Sequence, residues 1–519
     1  MPDVRLASPQ GKWILLTTVL GSSMALLDST VVNVALPRIG RDLDADLAAL
    51  QWTVNAYLLT LAGLILLGGS LGDHYGRRKV FVVGVVWFAV ASLLCGIAPN
   101  AGVLIAARAL QGVGGALLTP GSLALIQASF HREDRGRAVG LWSGFGGMGA
   151  AVGPFLGGWL VDGPGWRWVF LLNVPLAAVC VPVALRHVPE SDGRPARPRA
   201  AATATGSGTG TGHVPGGAAG SATGSPHARF DVLGAFLGAL ALALVTYALI
   251  EARSGPVGVV TGAAVAGVVA GVAFVAVERR SPDPMLPPDI FASRQFTAVN
   301  LVTLCVYAAF GGFFFLSAVQ LQVVAGWSAL QAGTALLPTT VLMLLLSARS
   351  GELAEHIGPR IPLTVGPLLC AAGMLLMLRV GTGASYAADV LPAVLVLGFG
   401  MVALVAPLTA TVLASVDVAR AGVASGVNNA AARAAGLVAV AALPLLTGMS
   451  AEAYRSAAAF DDAFRRAMVL CAGVLAVGAV VAFATVRRPA PDCRRPECRT
   501  HGSVLAPPLE GERTKGRLS

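Results

Sequence analysis

The sequence predicts an all-α polytopic membrane protein with about fourteen transmembrane helices, and three observations carry that prediction. Apolar residues make up 55% of the 519 residues, only 12% are charged, and mean hydropathy is +0.72; soluble domains average about 25% charged. Apolar runs recur from near Trp13 to near Val486, and about 20 apolar residues cross the hydrocarbon core as a helix. Short segments rich in Lys and Arg separate many of them, mostly at alternate breaks. An ordinary soluble enzyme and a disordered polyelectrolyte are both excluded.

Taken in order between charged or turn-forming breaks, the first six spans fall at 14–36, 51–71, 80–98, 103–128, 137–161 and 168–188. Residues 1–188 therefore read as an amino-terminal six-helix bundle. Residues 189–230 are rich in Gly, Ala, Ser, Thr, Pro and Arg and cannot bury enough apolar surface to fold, so they read as a flexible linker. Two additional spans, 231–251 and 257–277, make up 231–277. A carboxy-terminal six-helix bundle, 278–486, holds spans at 297–321, 332–352, 361–379, 387–414, 423–449 and 467–486. The tail 487–519 is basic, Pro-rich and expected to be disordered.

The net charge of +10 is explained by where the charge lies. With the amino terminus inside, most Lys and Arg fall in cytoplasmic segments, among them Arg77, Arg78, Lys79, Arg132, Arg135, Arg137 and the tail. The opposite side receives Arg38, Arg41, Arg167, Arg253, Arg379, Arg455, Arg465 and Arg466. This asymmetry places both termini in the cytoplasm of a multi-pass cell-membrane protein, and no nucleic-acid partner is needed. The first apolar run continues into a full-length span without a small-residue cleavage site, so no cleavable signal peptide is expected.

Several chemistries drop out. The sequence has no G-x-x-x-x-G-K-[ST] loop and no H-E-x-x-H. Of the seven cysteines, the first five lie in apolar runs as small packing residues. Cys493, Cys498 and His501 sit close together in the tail, but the spacing fits no common zinc pattern and a fourth ligand is missing. No metal, no cofactor and no enzymatic activity are expected. What remains is solute movement driven by an existing gradient.

Asp28 lies inside the first span, in LLDSTVVNVALP (26–37), and a charge there costs at least about 2.5–3.5 kcal/mol on insertion scales. Desolvation and a nearby cation push such a carboxyl in opposite directions, so it can bind and release a proton; a purely structural partner is the alternative. Arg108, in LIAARALQGVGGA (104–116), stands at a comparable depth and is its expected partner. The fifth span carries GFGGMGAAVGPFLGG (144–158), with Gly149, Gly153 and Gly157 on one helix face, followed by Pro154 and Gly158 in a longer and more specific string. The loop GSLGDHYGRRKVF (69–81) is echoed weakly by SGELAEHIGPRIPL (350–363), which suggests two homologous bundles.

These residues together resemble the major facilitator superfamily, in its fourteen-span drug:proton antiporter branch. Gly72 and Asp73 match the superfamily's loop signature, Arg108 and Gly112 its fourth-span R-x-x-q-G motif, and Gly149 to Gly158 its fifth-span antiporter motif. Asp28, Asn33, Ala35, Leu36 and Pro37 match a first-span signature of drug exporters, and WRWVFLLNVP (166–175), LQAGTALLP (330–338) and GVASGVNNAAR (422–432) with Arg433 extend the likeness over nearly the whole chain. His74 departs from the pattern, where Arg is more usual.

The resemblance implies a major facilitator fold of two six-helix bundles with two helices inserted between them. It implies alternating access, with a proton gradient as the energy source and a hydrophobic or cationic drug or antibiotic as cargo. Asp28 would carry the proton and Arg108 modulate it. Gly72, Asp73, Gly76, Arg77 and Arg78 would form a cytoplasmic latch, and the fifth-span residues would favour antiport. Asn33, Tyr57, Tyr307, Phe310, Phe314 and Gln320 are expected to line the cargo cavity. Partners would be membrane lipid, small molecules and protons, with the chain working as a monomer. Export of one endogenous metabolite, nutrient symport, and a non-transporting sensor stay open as alternatives.

Overall fold

The computed structural model describes residues 4–191, 231–281, 284, 286–416, 420–449 and 456–486, and among them the chain is helical almost throughout. The first half runs α1 (Pro9–Asp42), α2 (Leu47–Tyr75), α3 (Arg77–Gly96), α4 (Ala101–Ser129), α5 (Arg132–Asp162), a short α6 (Arg167–Leu171) and α7 (Asn173–His187). A hairpin follows, α8 (Val232–Ile250) and α9 (Val257–Arg280). The second half runs α10 (Arg294–Val319), α11 (Ala329–Ala335), α12 (Leu337–Ile357), α13 (Arg360–Leu376), α14 (Leu391–Ala414), α15 (Ala421–Thr447) and α16 (Ala457–Thr485).

Thirteen helical segments are long and apolar enough to cross a membrane, with α6 and α7 acting as one span and α11 running into α12 as another. α5, 31 residues long and packed on α1, is not among the thirteen, so by this measure the described helices fall one short of the fourteen expected. Hydropathy reports the lipid-embedded stretch, whereas capping sets the ends. The first span, read as 14–36, is thus the 34-residue α1, because Ser8 caps its start by accepting from the Gly11 N–H. Asp46, Asn100 and Asp231 start α2, α4 and α8 in the same way, and Ser328 with Gln331 forms a capping box on α11.

The weak echo between the two loops is physical. α2 ends at Gly76 with φ +106° and α12 at Gly358 with φ +85°, backbone values that only glycine reaches cheaply. Each glycine N–H closes on a carbonyl four residues back, Gly72 at 3.1 Å and Ala354 at 2.9 Å. The packing plan repeats as well. α1 lies on α5 and α7 as α10 lies on α15 and α16; α2 and α3 lie on α4 as α12 and α13 lie on α14. α3 meets α7 as α13 meets α16. One six-span plan is therefore used twice in a single chain.

α8 leans on both halves at once, against α2 and α15, with α9 outside it. Trp52 Nε1 donates to Glu251 at 3.3 Å, and Arg253 donates to the Leu445 carbonyl at 3.1 Å. Val265, Val268, Val269 and Val272 of α9 are exposed, as a lipid-facing helix requires. At the opposite end, the segment after α7 differs from a free linker over its first residues. The Arg77 N–H donates to the Ser191 carbonyl at 2.9 Å, the Arg78 N–H donates to Glu190 at 3.0 Å, and the Arg78 and Glu190 side chains pair at 3.5 Å. The rest of the expected linker, 192–230, and the tail with Cys493, Cys498 and His501 lie outside the described residues.

Candidate functional site

Gly112 of α4 has no Cβ, and one built there would run into the Tyr57 carbonyl and the Thr60 hydroxyl of α2. That close approach lays Arg108 across α2. Its Nε donates to the Thr53 carbonyl at 3.0 Å, and its guanidinium stacks 4.3 Å from the Tyr57 ring centroid and 5.8 Å from that of Phe170. Asp28 of α1 faces it, and each residue is 1% exposed. Arg108 Nη1 donates to Asp28 Oδ2, so the pair expected from the sequence is formed in the heart of the first bundle.

Three neutral residues complete the site. Gln111 Nε2 donates to Asp28 Oδ1 at 2.8 Å and to Ser92 Oγ at 3.1 Å, while its Oε1 accepts from Arg108 at 2.7 Å. Asn173 Nδ2 donates to Asp28 Oδ1 at 3.3 Å and to Ser92 Oγ at 3.0 Å. Ser92 Oγ in turn donates to the Phe170 carbonyl at 2.8 Å. Each of these partners of the carboxylate is a donor. Hydrogen bonds to charged groups contribute roughly 1.5–3 kcal/mol each, against an effective desolvation cost of several kcal/mol per buried ion. The cluster is close to self-compensating, so its presence is poorly explained by stability alone.

None of the three was singled out from the sequence. Gln111 had a signal, since it follows Arg108 by one helical turn in the fourth-span motif. Asn173 lay inside the quoted 166–175 string. Ser92 had none, because serine is common in spans.

α5 positions a second feature, a closed seam between the bundles at the end carrying the α1–α2 loop. A Cβ on Gly149, Gly153 or Gly157 would meet Ser23, Thr30 or Val31, all on α1 of the same bundle. Gly158 points elsewhere: a Cβ there would come within 2.5 Å of the Ala329 carbonyl and Leu330 Cα, on α11 of the other bundle. The Pro154 carbonyl likewise fills the space a Cβ on Gly333 would need. The glycine face at 149, 153 and 157 is thus a contact within one bundle, and the contact between bundles belongs to Pro154 and Gly158. Asp162 accepts from the N–H groups of Ala329 at 3.2 Å and Leu330 at 2.8 Å, capping α11 across the seam. Gln51 donates to the Val440 carbonyl at 2.7 Å and Gln322 to that of Val34 at 2.9 Å. Outside this seal lies a polar vestibule of about 1140 Å³, lined in part by Arg38, Asp42, Asp46, Asp162, Arg167 and Trp327.

The other expected residues are placed as follows. Gly72 is buried near the end of α2, the side chain of Asp73 lies outside the described residues, and Arg78 is held by Glu190 and by the Val188 carbonyl at 3.1 Å. Tyr57 differs from the cavity-lining expectation: it is buried under Arg108, with its hydroxyl 3.4 Å from the Ala25 carbonyl. Gln320 differs too, because its amide donates to the Val380 carbonyl at 2.7 Å and to Asp461 at 2.6 Å, tying α10 to the loop after α13 and to α16. Tyr307, Phe310 and Phe314 form one edge-to-face run with successive centroids 6.2 Å apart. Asn33 is half-buried, with its Oδ1 enclosed and unbonded.

The family model of the Major Facilitator Superfamily matches residues 18–440. The chain belongs to that superfamily. It is 36% identical over 501 residues to the puromycin resistance protein of Streptomyces alboniger, covering 92% of each chain. It is 34% identical to the tetracenomycin C resistance and export protein of Streptomyces glaucescens, over 83% of this chain and 75% of the other. Among solved structures, a POT family transporter in complex with 5-aminolevulinic acid aligns with a TM-score of 0.64 at 13% identity, over 93% of this chain and 97% of the other. A bacterial homolog of the human lysosomal transporter Spinster aligns at 0.61 and 17% identity, over 93% and 100%. Those two likenesses concern the fold. As a member of this superfamily the chain is a multi-span membrane transporter and not an enzyme.

Proposed function

We propose that this transporter exports a hydrophobic drug or antibiotic from the cell in exchange for protons, by alternating access between its two bundles. One observation carries the reading: the carboxylate at the heart of the first bundle, Asp28, accepts from Gln111 and Asn173 and is held on Arg108. In the arrangement described, both carboxylate oxygens of Asp28 accept from side-chain donors, and the site is sealed from the α1–α2 end. Proton uptake at Asp28 removes the charge that Arg108 pairs with, leaves an N–H donor facing a neutral acid, and so drives the cluster to rearrange. α1, α2 and α4 carry that rearrangement to the seam, since Gln51 lies on α2 and Val34 on α1.

The resistance proteins among its relatives support a drug or antibiotic as cargo. The distribution of Lys and Arg supports a cell-membrane orientation with both termini in the cytoplasm, so that the sealed α1–α2 end faces outward. Both bundles lie in one chain, which makes the monomer a complete unit, and the proton gradient serves as the energy source without a cofactor.

The test is efflux of a chemically varied panel, puromycin included, from proteoliposomes under an imposed pH gradient. Parent protein should show gradient-driven flux, and Asp28→Asn, whose amide holds the same shape without a transferable proton, should lose it. Flux indifferent to the gradient, or an Asp28→Asn variant as active as the parent, would remove Asp28 from the coupling role.

A further inference from the structure

Arg433 stands midway along α15, half-buried, and is, after Arg108, the second arginine deep in the span region. A cation at such a depth carries a large insertion cost and needs a reason. Arg108 has one in Asp28. Arg433 has none of that kind: its buried Nε lacks a hydrogen-bond partner, and no carboxylate among the described residues pairs with it. Its electrostatic neighbours are the hydroxyls of Tyr57, on α2 across the seam, and Tyr307, on α10 beside it. The residue keeps part of its surface exposed. With Asp28 and Arg108 cancelling each other, the centre between the bundles carries the unbalanced positive charge of Arg433.

Next to that charge lies apolar aromatic surface. α10 packs on α15, and its Tyr307, Phe310 and Phe314 present successive edge-to-face rings, with Tyr307 and Phe314 half-buried. A fixed planar cation beside aromatic faces fits a flat amphiphile with one ionised acidic group. A guanidinium takes a carboxylate through two parallel hydrogen bonds and keeps its charge at any working pH. A cationic molecule would instead meet a like charge in a site of low dielectric.

We infer that Arg433 is the docking charge for cargo, binding an ionised carboxylate or phenolate of an aromatic molecule whose ring lies against Tyr307, Phe310 and Phe314. This names the substrate class of the export reading and rests on that reading, and it narrows the hydrophobic or cationic cargo expected from sequence to molecules bearing an acidic group.

Binding and flux test the two separately. The full chain in nanodiscs is titrated with fluorescent naphthoate, its neutral isostere naphthamide, and naphthylmethylammonium. Naphthoate should bind on the order of tenfold more tightly than naphthamide, with the ammonium probe weakest. Arg433→Gln should erase the preference for naphthoate, and Arg433→Lys should keep part of it. Should Arg433→Gln fail to elute as folded protein, the parent and Arg433→Lys decide. Equal binding of naphthoate and naphthamide, no binding of naphthoate, a preference that survives Arg433→Gln, or tightest binding of the ammonium probe overturns the site. In proteoliposomes, the preference without gradient-driven flux keeps the site and ends the export reading. Flux of the probes without the preference keeps export and ends the site.

Discussion

The two bundles follow one packing plan but treat charge in opposite ways. In the amino-terminal bundle a carboxylate and a guanidinium face each other at the centre, and Gln111, Asn173 and Ser92 surround them with a connected set of hydrogen bonds. In the carboxy-terminal bundle the corresponding helices are filled by Phe296, Val302, Phe313, Leu397 and Leu404; the mid-span polar contacts are neutral, such as Asn428 with Asn300 and Thr303, and the charged Asp461, with Gln320 and Arg465, sits near the start of α16. Its one mid-span cation, Arg433, is turned to the seam. The fold therefore needs the plan and not the charges, since the second bundle packs the same way without a buried pair. A charged cluster kept in one copy only belongs to what the molecule does.

The largest effect is expected from unpairing the first bundle's charges. Arg108→Gln leaves Asp28 buried without its cation, a loss of about 3–5 kcal/mol, read as a marked drop in thermal unfolding temperature in detergent. Asp28→Asn/Arg108→Gln should recover most of that stability while gradient-driven transport stays absent. A double variant as unstable as the single one would mean the pair holds the bundle together.

Next in size is the contrast between neighbouring glycines of α5. Overpacking costs about 1–3 kcal/mol. At Gly157 that cost falls on Val31 within the bundle, so Gly157→Leu should lower stability in every state. At Gly158 it falls on Ala329 and Leu330 across the seam, so Gly158→Leu should keep its unfolding temperature and shift the open-to-sealed population at the α1–α2 end by roughly fivefold to a hundredfold. Cysteine accessibility in the vestibule measures both, and equal behaviour of the two variants would erase the distinction. Asp162→Ala should do the same as Gly158→Leu but more weakly, by severalfold, because a cap of this kind contributes about 1 kcal/mol. Smallest is Asn428→Ala, which removes neutral, half-buried bonds in the second bundle and should cost about 1 kcal/mol with transport retained. Loss of transport there would show that the second bundle hides a functional polar site.

Charge inside an apolar run is a loud signal, and for that reason Asp28 and Arg108 were legible and correctly paired. The helices were legible because hydropathy is decided residue by residue. The neutral members of the cluster were not, since glutamine, asparagine and serine occur in spans for many reasons and only the neighbouring helices say which. Gly157 and Gly158 show the limit most sharply. They are adjacent in sequence but differ by about 100° around the helix, and what lies on each side is a tertiary fact. Tyr57 and Gln320 read as cavity residues for the same reason: an aromatic ring or an amide in a span looks alike whether it meets open space or a backbone carbonyl.

The α8–α9 hairpin makes the molecule lopsided in the plane of the bilayer. On one flank the line where α2 meets α15 is covered by α8, with Gly63 pressed against Ala239 and Trp52 and Arg253 fastened at one end. Lipid on that flank touches α8 and α9, never the joint itself. On the other flank α5 meets α11 and α12 with no such helical cover among the described residues. A molecule dissolved among the acyl chains would thus find the protein shuttered on one side and jointed on the other, so any sideways approach to the centre is steered to a single face.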